Sequence, residues 1–179
     1  NINTQLIGTI SQIEFNKYNY QNITVNGLYQ NNLFNGKLGF VDDNLNGTFE
    51  GLADLSEEIN KFDFKTTVNY ANLRALNLYS RDSISELSGV IDLDLTGNKL
   101  DNVIGIANFK NIEYTNEKEL YPFKQFLIFS TLNDGVRQVR IDSEDIIKGE
   151  LIGDFKFEEM LPLAQNALGS MYANYTPYK

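Results

Sequence analysis

Apolar and polar residues alternate along most of this chain, and that alternation restricts the fold more than any other feature. Phe, Phe, Thr, Val and Tyr occupy every second position from Phe62 to Tyr70, with polar residues between them. A second run, from Leu87 to Leu95, alternates in the same way. A period of two places one set of side chains on one face of a β-strand and the other set on the opposite face. The chain is therefore predicted to be mainly β, with roughly ten to twelve strands.

Short polar segments rich in Asn, Asp and Gly separate these runs. Because these residues tolerate positive φ, they are typical of hairpins between antiparallel neighbours. One stretch, Val103 to Phe109, is apolar at both parities, which fits a strand buried on both faces or a strand with a bulge. The predicted turns are Asn26-Gly27, Asn31-Asn32, Asn35-Gly36, Asp42-Asp43-Asn44, Gly97-Asn98 and Asn133-Asp134-Gly135.

A pattern of two glycines occurs twice, in NGTFEGLADLSEEI (residues 46–59) and in KGELIGDFKFEEML (residues 148–161). Each glycine lies at an alternate position among apolar residues, so it belongs to the apolar face of its strand. Glycine normally weakens a strand. Its presence fits either local bulges and close backbone packing or an apolar groove left open for a ligand. The groove glycines predicted on the second interpretation are Gly47, Gly51, Gly89, Gly149 and Gly153.

The repeated pattern also predicts the domain organisation. The chain is expected to be a single β-rich domain over residues 1–179, with two related halves at about 5–78 and 84–157. After residue 157 the apolar residues recur at threes and fours, which predicts one amphipathic helix over 158–175. The apolar positions of that helix are Met160, Leu161, Ala164, Leu168, Met171 and Tyr175.

Composition excludes several classes of function. The 24 acidic residues outnumber the 15 basic ones and give a net charge of −9, which argues against nucleic-acid binding. Without His or Cys, the chain cannot form a Ser-His-Asp system or a thiolate metal site. Residues 42–44 lack the spaced ligands of a calcium loop. Neither an enzyme nor a cofactor is predicted.

The many phenylalanines on the apolar side of the strands must be covered. A single helix is too small to cover so many strands, so the sheet is expected to fold over on itself. The residues leave two architectures open: a curled antiparallel sheet with an open, taco-like trough, or a closed β-sandwich with a filled core. The second architecture would suit a binding or adhesion module.

Three segments carry a resemblance to a known family: ISELSGVIDLDLTG (residues 84–97), LDNVIGIANFKNIEY (residues 100–114) and DIIKGELIGDFKFEEMLPLAQNALGSMY (residues 145–172). In these patterns of Gly, Leu and Asp the chain resembles the translocation and assembly module subunit TamB, of the AsmA-like group of bacteria with two membranes. Members of that family are much longer than 179 residues. The resemblance implies an internal or C-terminal-half segment, which agrees with a first residue that is Asn rather than Met.

The resemblance implies a long antiparallel sheet curled into a trough with an apolar interior. It also implies a periplasmic location, as part of a protein anchored in the inner membrane. The implied role is phospholipid transport between inner and outer membrane, or assistance of outer-membrane protein assembly. The implied partners are phospholipid acyl chains, a barrel protein of the outer-membrane assembly machinery, and the remainder of a longer chain. The residues expected to line the groove are Phe49, Phe62, Phe64, Ile91, Leu93, Phe126, Leu151 and Phe155.

Overall fold

The computed structural model describes residues 3–80, 82–144 and 147–156, and these residues form one antiparallel sheet. The prediction of a mainly β, antiparallel fold is confirmed. Ten strands follow one another across the sheet in chain order, so that each strand pairs with its neighbours in sequence. The strands are β1 (Asn3–Phe15), β2 (Tyr18–Gln30), β3 (Leu33–Val41), β4 (Leu45–Asp54), β5 (Lys61–Asn72), β6 (Ser85–Thr96), β7 (Ile104–Asn116), β8 (Leu120–Asn133), β9 (Val136–Asp142) and β10 (Lys148–Gly153).

The sheet is open. Strands β1 and β10 are its two edges, and within the described residues they do not pair with each other. The closed β-sandwich is therefore not the arrangement of this part of the chain. Few hydrophobic residues of the described part are fully buried, which agrees with a sheet that leaves one apolar face partly uncovered. They are Tyr20, Ile23, Val68, Ala71, Leu76, Ile112 and Val139.

Four of the six predicted turns connect strands, at residues 31–32, 42–44, 97–98 and 133–135. The other two predictions are wrong, because Asn26-Gly27 lies inside β2 and Asn35-Gly36 lies inside β3. Gly27 and Gly36 pair directly with each other. The backbone of the neighbouring strand and the Phe34 ring occupy the space that their side chains would need. These glycines therefore serve close packing rather than chain reversal.

A bulge in β5 ends the alternation that predicted this strand. Val68 pairs with Gly89, and the next apolar pair is Ala71 with Leu87, so β5 uses one more residue than β6. Val68 and Ala71 are both buried in one cluster. Tyr70, which the alternation placed with Val68, pairs instead with Asn46 on the opposite face. The extra residue thus changes the face of every residue that follows it.

Two asparagines within strands have the left-handed backbone conformation, Asn22 with φ of 51° and Asn111 with φ of 49°. Each is followed by a buried isoleucine, Ile23 or Ile112. Asn reaches this conformation more easily than most residues because its short polar side chain forms local hydrogen bonds. In this structure the Asn22 side-chain amide donates instead across the sheet, to the carbonyl of Val41 on β3 at 3.3 Å.

The stretch Val103 to Phe109 is not buried on both faces, which was one of the two expectations for it. Ile104 and Ile106 are each 36% exposed. The irregularity in the pairing of β6 with β7 lies beyond the stretch, between Ser88 and Val90 on β6. The second expectation, a bulge within 103–109, is therefore wrong in position.

The two predicted halves contain five strands each, β1–β5 and β6–β10, and they join in one continuous sheet. Residues 73–77 between them form turns, in which the Leu76 amide donates to the carbonyl of Asn72 at 3.0 Å. Because five is odd, β1 and β6 run in opposite directions, whereas β4 and β10 run in the same direction. The relation between the halves stays a prediction. The helix predicted over 158–175 lies outside the described residues.

Candidate functional site: an apolar sheet face

Seven of the eight predicted groove residues lie in rows that cross the strands on one face of the sheet, here called the apolar face. One row runs through cross-strand pairs from Phe49 to Thr66, Ile91, Phe109 and Phe126. Directly paired residues share a face, so the whole row points to the same side. The other four predicted members belong to two neighbouring rows on the same face. One row contains the pair Phe64 and Leu93. The other contains the pair Phe62 and Leu95 and continues across the strands to Leu151.

Aromatic rings make close contacts along this face. The ring centroids of Phe49 and Phe64 lie 4.0 Å apart, and those of Phe62 and Phe64 lie 5.9 Å apart. Phe109 and Phe126 meet edge to face at 6.2 Å. Such contacts hold the rings in fixed orientations and add to the stabilisation from burial.

The apolar face is half-buried rather than closed. Phe49, Phe64 and Leu93 are of intermediate exposure, and Leu151 at the far edge is 41% exposed. Phe155, the eighth predicted residue, is half-buried but lies after the last residue of β10. From β4 to β10 the rows cover six strand spacings, about 29 Å at the usual distance between strands. The face is thus a continuous apolar surface with its centre partly open.

The first three predicted groove glycines do not leave space for a ligand. A Cβ atom on Gly47 would lie 2.3 Å from the Thr67 carbonyl oxygen, and one on Gly51 would lie 2.0 Å from that of Asp63. A Cβ atom on Gly89 would meet the Ile112 side chain at 2.5 Å. The neighbouring strand therefore fills the room, as expected for close backbone packing. For these positions the groove interpretation is replaced by the packing interpretation.

The glycines of the second copy differ. A Cβ atom on Gly149 would have nothing within 4 Å, and one on Gly153 would meet only the Phe155 ring at 3.7 Å. Both lie on edge strand β10, which has β9 as its partner on one side. Open space in front of the predicted glycines thus occurs at this edge of the face.

One margin of the apolar face is closed by the connection between β5 and β6. Leu76 of that connection is 1% exposed and lies in one cluster with Ile23 and Val68. Asn16, between β1 and β2, and Asn77, between β5 and β6, exchange side-chain-to-backbone hydrogen bonds of 2.7 and 3.1 Å. In the sheet, β3 and β4 lie between β2 and β5. The sheet is therefore bent towards its apolar face at this margin, called the Leu76 margin below.

The opposite margin contains a buried arginine that the sequence pattern did not single out. Arg137 is 1% exposed, and its guanidinium donates to the Val103 carbonyl and the Ser130 hydroxyl, each at 2.9 Å, and to the Asp101 carbonyl. It ties β9 to the segment before β7. The available signal was its position two residues before Val139, at an alternate site that otherwise holds apolar residues.

The turn between β3 and β4 is organised by Asp42. Its carboxylate accepts hydrogen bonds from the Tyr18 hydroxyl and from the backbone N–H groups of Gln21 and Asn44, the latter two at 2.9 Å. Burial raises the pKa of Asp42, but these hydrogen bonds outweigh it and hold the pKa below the ordinary value. Burial and then the bond to Asp42 raise the pKa of Tyr18. The cluster stabilises a turn and does not resemble an acid–base pair.

The opposite face of the sheet carries most of the charge. Lys37 lies 3.6 Å from Glu50, and Lys110 lies 2.5 Å from Asp92. A depression of about 500 Å³ on this polar face is lined by Asp63, among other residues. Asp63 and Asp94 are directly paired and both acidic, which destabilises their strands slightly. Leu52 and Ile106 line the depression together with these carboxylates, so apolar surface on the polar face is interrupted by charge.

No group of three or more His, Cys, Asp or Glu residues within the described part of the chain could hold a metal ion. The described residues also contain no helix that is long and apolar enough to span a membrane.

Comparison with family models, with curated proteins and with solved structures gives no match to this chain.

Proposed function

We propose that this chain is a segment of a TamB/AsmA-like bridge protein, in which the apolar face forms a curled trough that carries phospholipid acyl chains. On this proposal the segment works in the periplasm, as part of a protein anchored in the inner membrane. Its partners are a barrel protein of the outer-membrane assembly machinery and the remainder of a longer chain.

The observation that carries the proposal is the set of apolar rows that cross the strands. An acyl chain gains about 0.8 kcal/mol for each methylene removed from water. In the row from Phe49 to Phe126, four of the five positions carry Phe or Ile and the fifth is Thr66, so a chain can move from one strand to the next without losing a specific polar partner. The headgroup stays in water at the open side of the face.

A charge on the apolar face should abolish lipid binding. Leu93→Glu places a carboxylate among Phe64 and Ala107, its cross-strand neighbours, where an unpaired charge is costly. Val90→Glu is the matched control, because Val90 lies on the same strand and on the polar face, paired with Lys110. Organic extraction and mass spectrometry of the purified proteins should detect phospholipid in the wild type and in Val90→Glu, but not in Leu93→Glu.

A photo-crosslinking amino acid distinguishes binding on one face from adhesion to any exposed apolar residue. Leu151 and Ile152 are adjacent on β10 and point to opposite faces; Leu151 is 41% exposed and Ile152 is 58% exposed. A trough predicts that the probe captures lipid at position 151 and not at 152. If the amount of captured lipid follows the exposure of the side chain, so that position 152 captures more lipid than position 151, the proposal is contradicted. So does the absence of lipid at both positions in folded protein from a membrane-containing lysate, which favours a binding or adhesion module.

A further inference from the structure

Three tyrosines, called the tyrosine cluster below, meet on the apolar face where β6, β7 and β8 reach the Leu76 margin. Leu87 packs against the buried apolar residues of that margin. It pairs with Tyr114, which in turn pairs with Tyr121. Directly paired residues share a face, so both rings point to the apolar side. The third ring belongs to Tyr79 of the connection between β5 and β6, and it meets the Tyr114 ring edge to face.

The rings of the tyrosine cluster stand in two nearly perpendicular directions. The centroids of Tyr79 and Tyr114 lie 6.5 Å apart with 84° between the ring planes, and those of Tyr114 and Tyr121 lie 6.2 Å apart with 30°. Tyr79 is 38% exposed, and the other two are half-buried. An ammonium group is attracted to the face of an aromatic ring when it lies within about 6 Å of the centroid. At these separations one ammonium can lie within that distance of two rings at once.

Two carboxylates adjoin the tyrosine cluster. The Tyr114 hydroxyl donates to the Asp82 carboxylate at 2.6 Å. Burial first, and then this hydrogen bond, raise the pKa of Tyr114. The Glu119 carboxylate, mainly through a hydrogen bond, raises the pKa of Tyr121, and the charge of Asp82 acts in the same direction. Negative charge therefore acts on both phenols, and a cation beside them would be stabilised.

The connection that carries Tyr79 and Asp82 is fixed by contacts within the protein. The Arg74 guanidinium donates to two backbone carbonyls of this connection, at 3.1 and 3.0 Å. Ser85, the first residue of β6, is 1% exposed, and its hydroxyl lies 3.3 Å from that of Tyr114. The aromatic rings and the carboxylate are thus already placed together without a ligand, which lowers the cost of binding one.

We propose that the tyrosine cluster and Asp82 bind the ammonium group of a phospholipid headgroup, so that the trough prefers zwitterionic lipids to anionic ones. This inference rests on the proposed function, because the acyl chains of the same lipid would lie on the apolar face. From the tyrosine cluster that face continues through the pair of Ile112 with Phe123 and the pair of Phe109 with Phe126. The net charge of −9 also disfavours an anionic headgroup.

Lipid competition tests the preference. The purified full chain is incubated with vesicles that contain equal amounts of phosphatidylcholine and phosphatidylglycerol with identical acyl chains, and is then re-isolated and extracted for mass spectrometry. The wild type should carry at least about three times as much phosphatidylcholine as phosphatidylglycerol. Tyr79→Leu should lower this ratio at least about twofold, with total bound lipid and the circular dichroism spectrum unchanged. Tyr79→Phe, which keeps the ring, should retain the ratio of the wild type.

Matched variants separate the tyrosine cluster from the charge of the whole chain. Tyr29→Leu is the control for Tyr79→Leu, because Tyr29 is also 38% exposed and lies on the apolar face at the opposite margin, in the row of Phe62. Asp63→Asn is the control for Asp82→Asn, because each change removes one negative charge and Asp63 lies on the polar face. The ratio should fall in Asp82→Asn and stay unchanged in both controls.

A ratio near one in wild-type protein that carries lipid overturns the headgroup site and leaves the lipid trough in place. The absence of bound lipid overturns the trough and the headgroup site together. An equal fall of the ratio in Tyr29→Leu and Tyr79→Leu, or in Asp63→Asn and Asp82→Asn, assigns the preference to the whole surface and overturns the site.

Discussion

The same pattern of two glycines separated by three residues occurs in β4 and in β10, and its two copies have different surroundings. In β4, the backbone of β5 lies against Gly47 and Gly51, so closely that neither could carry a Cβ atom without displacement. In β10, Gly149 faces open space and Gly153 has an ordinary contact with Phe155. A motif that repeats at a constant spacing therefore has one physical role in the interior of the sheet and another at its edge.

The difference follows from the number of neighbours. Strand β4 is paired on both sides, and at Gly51 its backbone has φ of 149°, a conformation that side chains rarely permit. Among the described residues, strand β10 is paired on one side, and neither of its glycines has a positive φ. Interior glycines are thus required by the geometry of the sheet, while those at the edge are compatible with other residues.

The largest effect is expected from adding a methyl group to the interior glycine and to its counterpart at the edge. Gly51→Ala combines an unfavourable φ with a carbon 2.0 Å from the Asp63 carbonyl oxygen, and should lower the free energy of unfolding by about 4 kcal/mol. Gly153→Ala should change it by less than about 0.5 kcal/mol. Urea unfolding followed by circular dichroism measures both, and equal losses would contradict the comparison.

A smaller difference is expected between the apolar residues of the two copies. Phe49 contacts the Phe64 ring at 4.0 Å and is half-buried, so Phe49→Ala should lower the free energy of unfolding by about 2 kcal/mol. Leu151 is 41% exposed, and Leu151→Ala should lower it by about 0.5 kcal/mol. A loss for Leu151→Ala as large as that for Phe49→Ala would show that something covers the β10 edge in solution.

The smallest effect concerns pH and the turns that precede the two copies. The folded pKa of Asp42 is lowered, so its contribution to stability is complete above the unfolded value of about 4 and is lost as pH falls through the folded pKa. The stability difference between wild type and Asp42→Asn should therefore shrink below about pH 4.

The turn before β10 holds Ser143, which donates to the Gln125 carbonyl at 2.7 Å and does not titrate. Ser143→Ala should show a difference from wild type that is constant over the same range, as unfolding curves at each pH would establish.

The alternation of apolar and polar residues predicted most of the strands, because a strand that buries one face requires an apolar side chain at every second position. It failed where that period is interrupted. Strand β1 was not singled out, since Ile7 occupies a polar-face position. The bulge at Asn69 moved Tyr70 to the other face, since one additional residue is enough to change the parity.

Seven of the eight predicted groove residues share one face because their parity within each strand was correct and the register of adjacent strands preserved it. Sequence pattern could not establish the registers themselves, which depend on turn length and on bulges. It also did not find the margin of the face that Arg137 closes. Leu76 and Arg137 acquire their roles from contacts with residues distant in sequence, such as Ile23 and Val103.

The sequence by itself determined that this protein is antiparallel and β-rich, with an apolar and a polar side, because these properties follow from local periodicity and short turns. Only the tertiary structure decided that Asn26-Gly27 and Asn35-Gly36 extend strands instead of reversing them. The same residue pair suits a turn or a close approach of two backbones, and the choice depends on which strand lies alongside. That neighbour is a property of the assembled sheet and is not encoded within the dipeptide.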